Sequence, residues 1–196
     1  MTLPSFSHLP RDTRDTLFVL AVIAWVIAPL APELPLWCGL LSAALIGWRG
    51  VLAWRGRPLP SKWWLLGLLG LCLVATLISF KTLLGRDAGV TMVVVLLALK
   101  TLELRARRDA FVVFFLGFFL ILTHFFYSQS LLTAAAMLVA LLGLLTALVN
   151  AHMPVGKPPL WQAARMAGSM ALLGAPIMVL LFVLFPRMAP LWGLPS

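Results

Sequence analysis

Long apolar runs separated by short polar or proline-bearing breaks dominate the chain. They fall near residues 16–31, 36–54, 63–80, 88–104, 110–126, 131–150 and 168–185. An α-helix needs roughly 20 apolar residues to cross a hydrocarbon core about 30 Å thick. Such a core leaves no water to satisfy an open sheet edge. The pattern therefore predicts an all-α fold, a polytopic membrane helix bundle of about seven transmembrane helices.

The breaks carry their own signals. Pro29, Pro32 and Pro35 surround Glu33 and turn the chain between the first two runs. Arg55-Gly-Arg-Pro-Leu-Pro-Ser-Lys62 is a basic loop whose two prolines stop the second helix, and Trp63 and Trp64 follow as interfacial anchors. Gly39, Ala43 and Gly47 recur every four residues, a spacing that suits close approach of another helix, although an Ala- and Gly-rich span can produce it by chance. In the last run Gln162, Arg165 and Ser169 give the first turns a polar face, so this helix starts at the membrane surface and then enters it. Gly174 and Pro176 predict a kink in its middle.

Composition agrees with the pattern and adds direction. The chain has 196 residues, 62% of them hydrophobic and 11% charged, with a mean hydropathy of +1.05. Soluble domains carry roughly 25% charged residues. The net charge of +9 could suggest a nucleic-acid binder, but the 15 Lys and Arg sit singly or in short clusters between apolar runs, so nucleic acid is not an expected partner. Their distribution is instead an orientation signal. With the N-terminus cytoplasmic, Arg11, Arg14, Arg49, Arg55, Arg57, Lys62, Lys100, Arg105, Arg107, Arg108, Lys157 and Arg165 lie inside, against Lys81, Arg86 and Arg187 outside. Excess Lys and Arg marks the cytoplasmic side, which predicts an N-in, C-out arrangement. The fourth run is short and holds two charges, so a re-entrant hairpin of the fourth and fifth runs would keep this parity with fewer spans.

Little in the chain points to catalysis. Cys38 and Cys72 are flanked by apolar residues, which would raise a thiol pKa rather than activate it. His8, His124 and His152 fall in separate regions without metal-ligand spacing. No phosphate loop, GxSxG elbow or HExxH motif occurs. No catalytic, cofactor-binding or metal-binding residue is therefore assigned, and no cofactor is expected.

Two polar clusters are candidates for something other than chemistry. Arg86 and Asp87 open the fourth run on the outer side, where His124 and Gln129, with Tyr127 and Ser128, close the fifth. They form either a docking or headgroup patch, or helix caps at an interface where polar residues cost little. On the inner side Lys100, Glu103, Arg105, Arg107, Arg108 and Asp109 gather between two runs. Lys100 with Glu103, and Glu103 with Arg107, have the spacing of helical ion pairs, and their long side chains can snorkel to the interface.

Several stretches carry a family resemblance. Gly85-Arg-Asp-Ala-Gly89, Leu99-Lys-Thr-Leu-Glu-Leu-Arg105 with Arg108-Asp-Ala-Phe111, and Leu122-Thr-His-Phe-Phe-Tyr-Ser-Gln-Ser-Leu-Leu-Thr133 are similar to the N-terminal membrane domain of TgpA-type transglutaminase-like proteins. Leu184-Phe-Pro-Arg187 and Pro190-Leu-Trp-Gly-Leu-Pro195 resemble it too, whereas the first three helices match only in hydrophobic pattern. The resemblance implies a bacterial inner-membrane protein whose membrane part precedes a periplasmic domain with a Cys-His-Asp triad. On that reading residues 1–196 are a single membrane domain, the catalytic domain is expected after Ser196, and the chain is a fragment. Its partners would be the lipid bilayer, its own periplasmic domain and a cytoplasmic MoxR-type ATPase. Alternatives from other classes are a small transporter or channel, for which no midplane acid or repeat is present, and a regulatory membrane subunit.

Overall fold

A computed structural model describes residues 10–82, 85–104, 107–153 and 159–184, without the side chains of residues 107, 108 and 182. Seven α-helices and no strand occur among the described residues: α1 Arg11–Ile27, α2 Leu36–Arg55, α3 Lys62–Phe80, α4 Arg86–Leu102, α5 Arg107–Thr123, α6 Leu131–His152 and α7 Leu160–Leu184. Six of these segments are long and apolar enough to cross a membrane. The exception is α4, whose 17 residues, unlike the 17 of α1 and of α5, are not lengthened by a 3-10 turn.

Local chemistry explains several of the ends. Pro29 carries α1 into a 3-10 turn, Ala28–Leu30. The second helix stops at Gly56, whose φ of 58° is left-handed and suits glycine. Ser130 caps α6, its side chain accepting from the Thr133 backbone N–H. The last helix continues through Pro176 to Leu184.

Five helices close a ring: α1 packs on α2, α2 on α4, α4 on α5, α5 on α6 and α6 on α1, with α1 also touching α5. The third helix leans on α4 from outside the ring, and α7 leans on α6. Buried Ala163 and Ala167, one turn apart, are the small residues that let α7 approach. The fourth helix is the most enclosed. Val94, Val95, Leu97, Ala98 and Leu102 are all fully buried, because α2, α3 and α5 surround it. Contacts from Cys38 Sγ to the Thr91 carbonyl and from Arg49 Nε to the Thr101 carbonyl set α2 and α4 side by side in parallel. At 1.5 Å per residue α4 is about 25 Å long and runs alongside its neighbours, not back on itself.

Two expectations need correction. The Gly39–Ala43–Gly47 stripe is not where helices meet: a Cβ added at Gly39 or Gly47 would find nothing within 4 Å. The tight positions are Gly117, facing Leu144, and Gly143, facing Val22. Glu103 and Arg107 also do not share a helix, because α4 ends at Leu102 and α5 begins at Arg107.

Candidate functional site

Helix direction alternates, so the bundle has two ends. One carries the starts of α1, α3, α5 and α7. Contacts from Arg11 to the Asn150 and Met153 carbonyls, and from Thr13 to the Ala53 carbonyl, tie it together. The other carries the starts of α2, α4 and α6. Arg86 donates there to the Phe126 carbonyl, and Trp37 Nε1 donates to Ser79 Oγ. These are called here the Arg11 end and the Arg86 end.

At the Arg86 end the chain brings part of the expected patch together. Tyr127 Oη donates to Asp87 Oδ1 at 2.8 Å. Arg86 Nε donates to the same oxygen at 3.1 Å, and its guanidinium lies 4.8 Å over the Tyr127 ring. The first turn of α4 thus docks on the turn after α5. His124 does not join this surface. It is buried, and its Nδ1 lies 2.7 Å from the Leu120 carbonyl. Gln129 is exposed in the connection to α6.

Burial pushes the Tyr127 phenol up to about 12, helped by the hydrogen bond and charge of Asp87. The same hydrogen bond, with Arg86 beside it, holds the Asp87 carboxyl below the usual carboxylate range. An acid whose folded pKa is depressed adds stability above its unfolded value near 3.9 and loses it as pH falls through the folded value. A phenol whose pKa is raised adds stability below about 10 and loses it as pH rises through the folded value. The contact therefore contributes its full stabilisation from about pH 4 to about pH 10 and loses it beyond those limits, towards the folded-state values. Tyr127 is the chain's sole tyrosine, so an ultraviolet titration reads it directly. Its midpoint is expected near 12, and lower but still above the ordinary value in Asp87→Asn, since burial remains. An unchanged midpoint in that variant would mean that Asp87 does not act on the phenol.

At the Arg11 end Lys100 donates to Glu103, as the spacing predicts. Arg105 lies outside the described residues, as do the side chains of Arg107 and Arg108. Asp109 sits in the first turn of α5, where a negative charge complements the helix dipole. The more built feature lies inside the ring mouth, where sequence reasoning assigned no site. Arg49 of α2, 8% exposed, donates through Nε to the Thr101 carbonyl at 3.1 Å. It lines a cavity of about 370 Å³ whose wall includes Asp12, Asp15, Phe114 and Asn150. The Asn150 Oδ1 is buried there without a hydrogen-bond partner among the described residues. The available signal was Arg49 itself, a charge inside an apolar run and well short of the helix end at Arg55.

Cys38 and Cys72 are buried and free, and no cluster of metal ligands occurs among the described residues. What the fold and its two polar ends define is a polytopic membrane helix bundle with a strongly basic end. A family model described as the TgpA N-terminal domain matches residues 18–196, and the chain belongs to that family. It is also 34% identical over 193 residues to a protein-glutamine gamma-glutamyltransferase of Pseudomonas aeruginosa, a match covering 95% of this chain and 28% of that protein. The chain thus spans little more than a quarter of this curated relative. No solved structure matches it.

Proposed function

We propose that the chain is the membrane anchor and scaffold of a transglutaminase-like enzyme. It would sit in a bacterial inner membrane with its N-terminus cytoplasmic and its C-terminus periplasmic. The observation that carries this reading is the relative: its printed activity is glutamyl transfer, and the stretch shared with this chain is 28% of its length. Acyl transfer of that kind needs a base to deprotonate a thiol, whose thiolate attacks an amide carbonyl, and to return the proton to the amine that leaves as the C–N bond breaks. The described helices offer only two buried cysteines for such a role, so the reading places the chemistry in a Cys-His-Asp domain beyond this stretch.

The basic asymmetry supports the orientation. Among described residues Arg11, Arg14, Arg49, Arg55, Arg57, Lys62, Lys100, Arg107, Arg108 and Arg165 belong to the Arg11 end, against Lys81 and Arg86 at the other. The Arg11 end is then cytoplasmic. On this view the Asp87–Tyr127 contact stiffens the surface nearest the catalytic domain, and the basic segment 105–109 faces a cytoplasmic partner such as a MoxR-type ATPase.

Alkaline phosphatase fusions test the arrangement. A fusion after Ser196 is expected to be active, and one in the Arg55–Lys62 loop inactive. The reverse pattern would overturn the orientation and the anchor reading with it.

A further inference from the structure

The cavity at the Arg11 end is lined by a buried charge, Arg49, that makes no ion pair among the described residues. The described ion pairs join Arg11 and Arg14 to Asp15, Arg86 to Asp87, and Lys100 to Glu103; none includes Arg49. Burying a guanidinium without an anionic partner is costly, because the charge loses its water and gains no opposite charge in exchange. Only the Nε of Arg49 has a hydrogen bond among the described residues, to the Thr101 carbonyl. That leaves the edge formed by its two terminal nitrogens for a planar, two-point contact with an oxyanion.

The surroundings narrow what fits. Asp15 is already engaged, 3.5 Å from Arg11 and 2.9 Å from Arg14. Asp12 is exposed in the first turn of α1 and complements the helix dipole there. Asn150, 3% exposed, lines the same cavity with an unpartnered side-chain oxygen. A ligand hydroxyl could donate to that oxygen, and the amide turned over could donate to an oxyanion. A second cavity, about 460 Å³, shares Arg49 and brings Arg57 to its wall. Below the cavity the ring is closed by fully buried Ile23 and Leu144, so a ligand enters from the aqueous side.

We propose that this cleft is a binding site for the phosphate group of a phosphate ester, held by Arg49 and oriented by Asn150. The shared chemistry is the phosphate group, whether it belongs to a soluble ester or to the headgroup of a phospholipid at the interface. The site is independent of the anchor reading, and its test does not depend on which way the protein faces.

Thermal unfolding of the full chain in phospholipid-free maltoside micelles tests it, with inorganic phosphate or glycerol 3-phosphate compared with chloride at equal ionic strength. A parallel arm adds phosphatidylglycerol to the micelles. A stabilising shift with the soluble probes identifies a soluble ester, and a shift with the lipid alone identifies a headgroup. Arg49→Gln is expected to weaken the effective probe at least tenfold. Asp12→Asn, which removes a repelling charge from the wall, should strengthen it severalfold. If Arg49→Gln does not fold, Asn150→Ala decides, with a severalfold weaker affinity expected. The proposal is overturned by no response to any probe in the unsubstituted chain. It is equally overturned by unchanged affinity in a folded Arg49→Gln or, where that variant fails to fold, in Asn150→Ala, or by weaker binding in Asp12→Asn.

Discussion

Gly143→Leu and Gly117→Leu are each expected to destabilise the bundle by about 3 kcal/mol, the upper part of the range for overpacking a filled interior. At Gly143 a Cβ alone would lie 3.0 and 3.1 Å from the two γ-methyls of Val22. At Gly117 it would lie 2.9 Å from Leu144 Cδ1. The alanine variants separate the two cases. Leu144 can turn its terminal methyls, whereas the branched Val22 has little freedom about χ1 inside a helix. Gly143→Ala is therefore expected to cost more than Gly117→Ala, although its nearest contact is slightly longer. Gly39→Leu and Gly47→Leu serve as controls. Open space surrounds both glycines, and leucine is the better helix former, so they should be neutral or mildly stabilising. Denaturation in mixed micelles measures all of these. If Gly39→Leu were as damaging as Gly143→Leu, the helix packing described above would be wrong.

Leu97→Ala and Leu172→Ala remove the same atoms from two apolar helices with opposite expected consequences. Leu97 is fully buried in α4, and Leu172 is 75% exposed on α7. In a soluble protein a buried leucine truncation costs about 2–5 kcal/mol, part of it transfer from water and part the cavity left behind. In a membrane the transfer part largely vanishes, since lipid tails are as apolar as leucine. The cavity part remains, so Leu97→Ala should cost about 2 kcal/mol, near the foot of the soluble range. Leu172→Ala loses neither and should stay within about 0.5 kcal/mol of the unsubstituted chain. Equal costs at both positions would mean that α4 is not the enclosed helix of the bundle.

These contrasts show where sequence reading stops. Leu97 and Leu172 occupy equally apolar surroundings in the chain, and no periodicity separates them. In water a buried face differs in polarity from an exposed one and leaves a 3.6-residue stripe. In lipid both faces are apolar and the stripe fades. That is why the regular Gly39–Ala43–Gly47 spacing pointed to a contact that does not form, while Gly117 among phenylalanines and Gly143 among leucines gave no such signal. His124 illustrates the same limit at the Arg86 end. Its neighbours in the chain are interfacial, yet its ring is buried against the Leu120 carbonyl.

The sequence by itself determined the class of fold, the alternation of apolar runs and breaks, the concentration of positive charge at one end and the family. All follow from solvent: a chain this apolar must be helical in a membrane, and breaks must hold what the membrane rejects. Only the tertiary structure decided that α4, the one helix that falls short of a membrane span, is the most enclosed, and that two glycines set the spacing of α1, α5 and α6. It alone brought Arg49 of α2 to one cleft with Asn150 of α6. Those outcomes depend on which helix lies beside which, and helix pairing in a bundle is settled by shape and by a few buried polar groups distant in sequence.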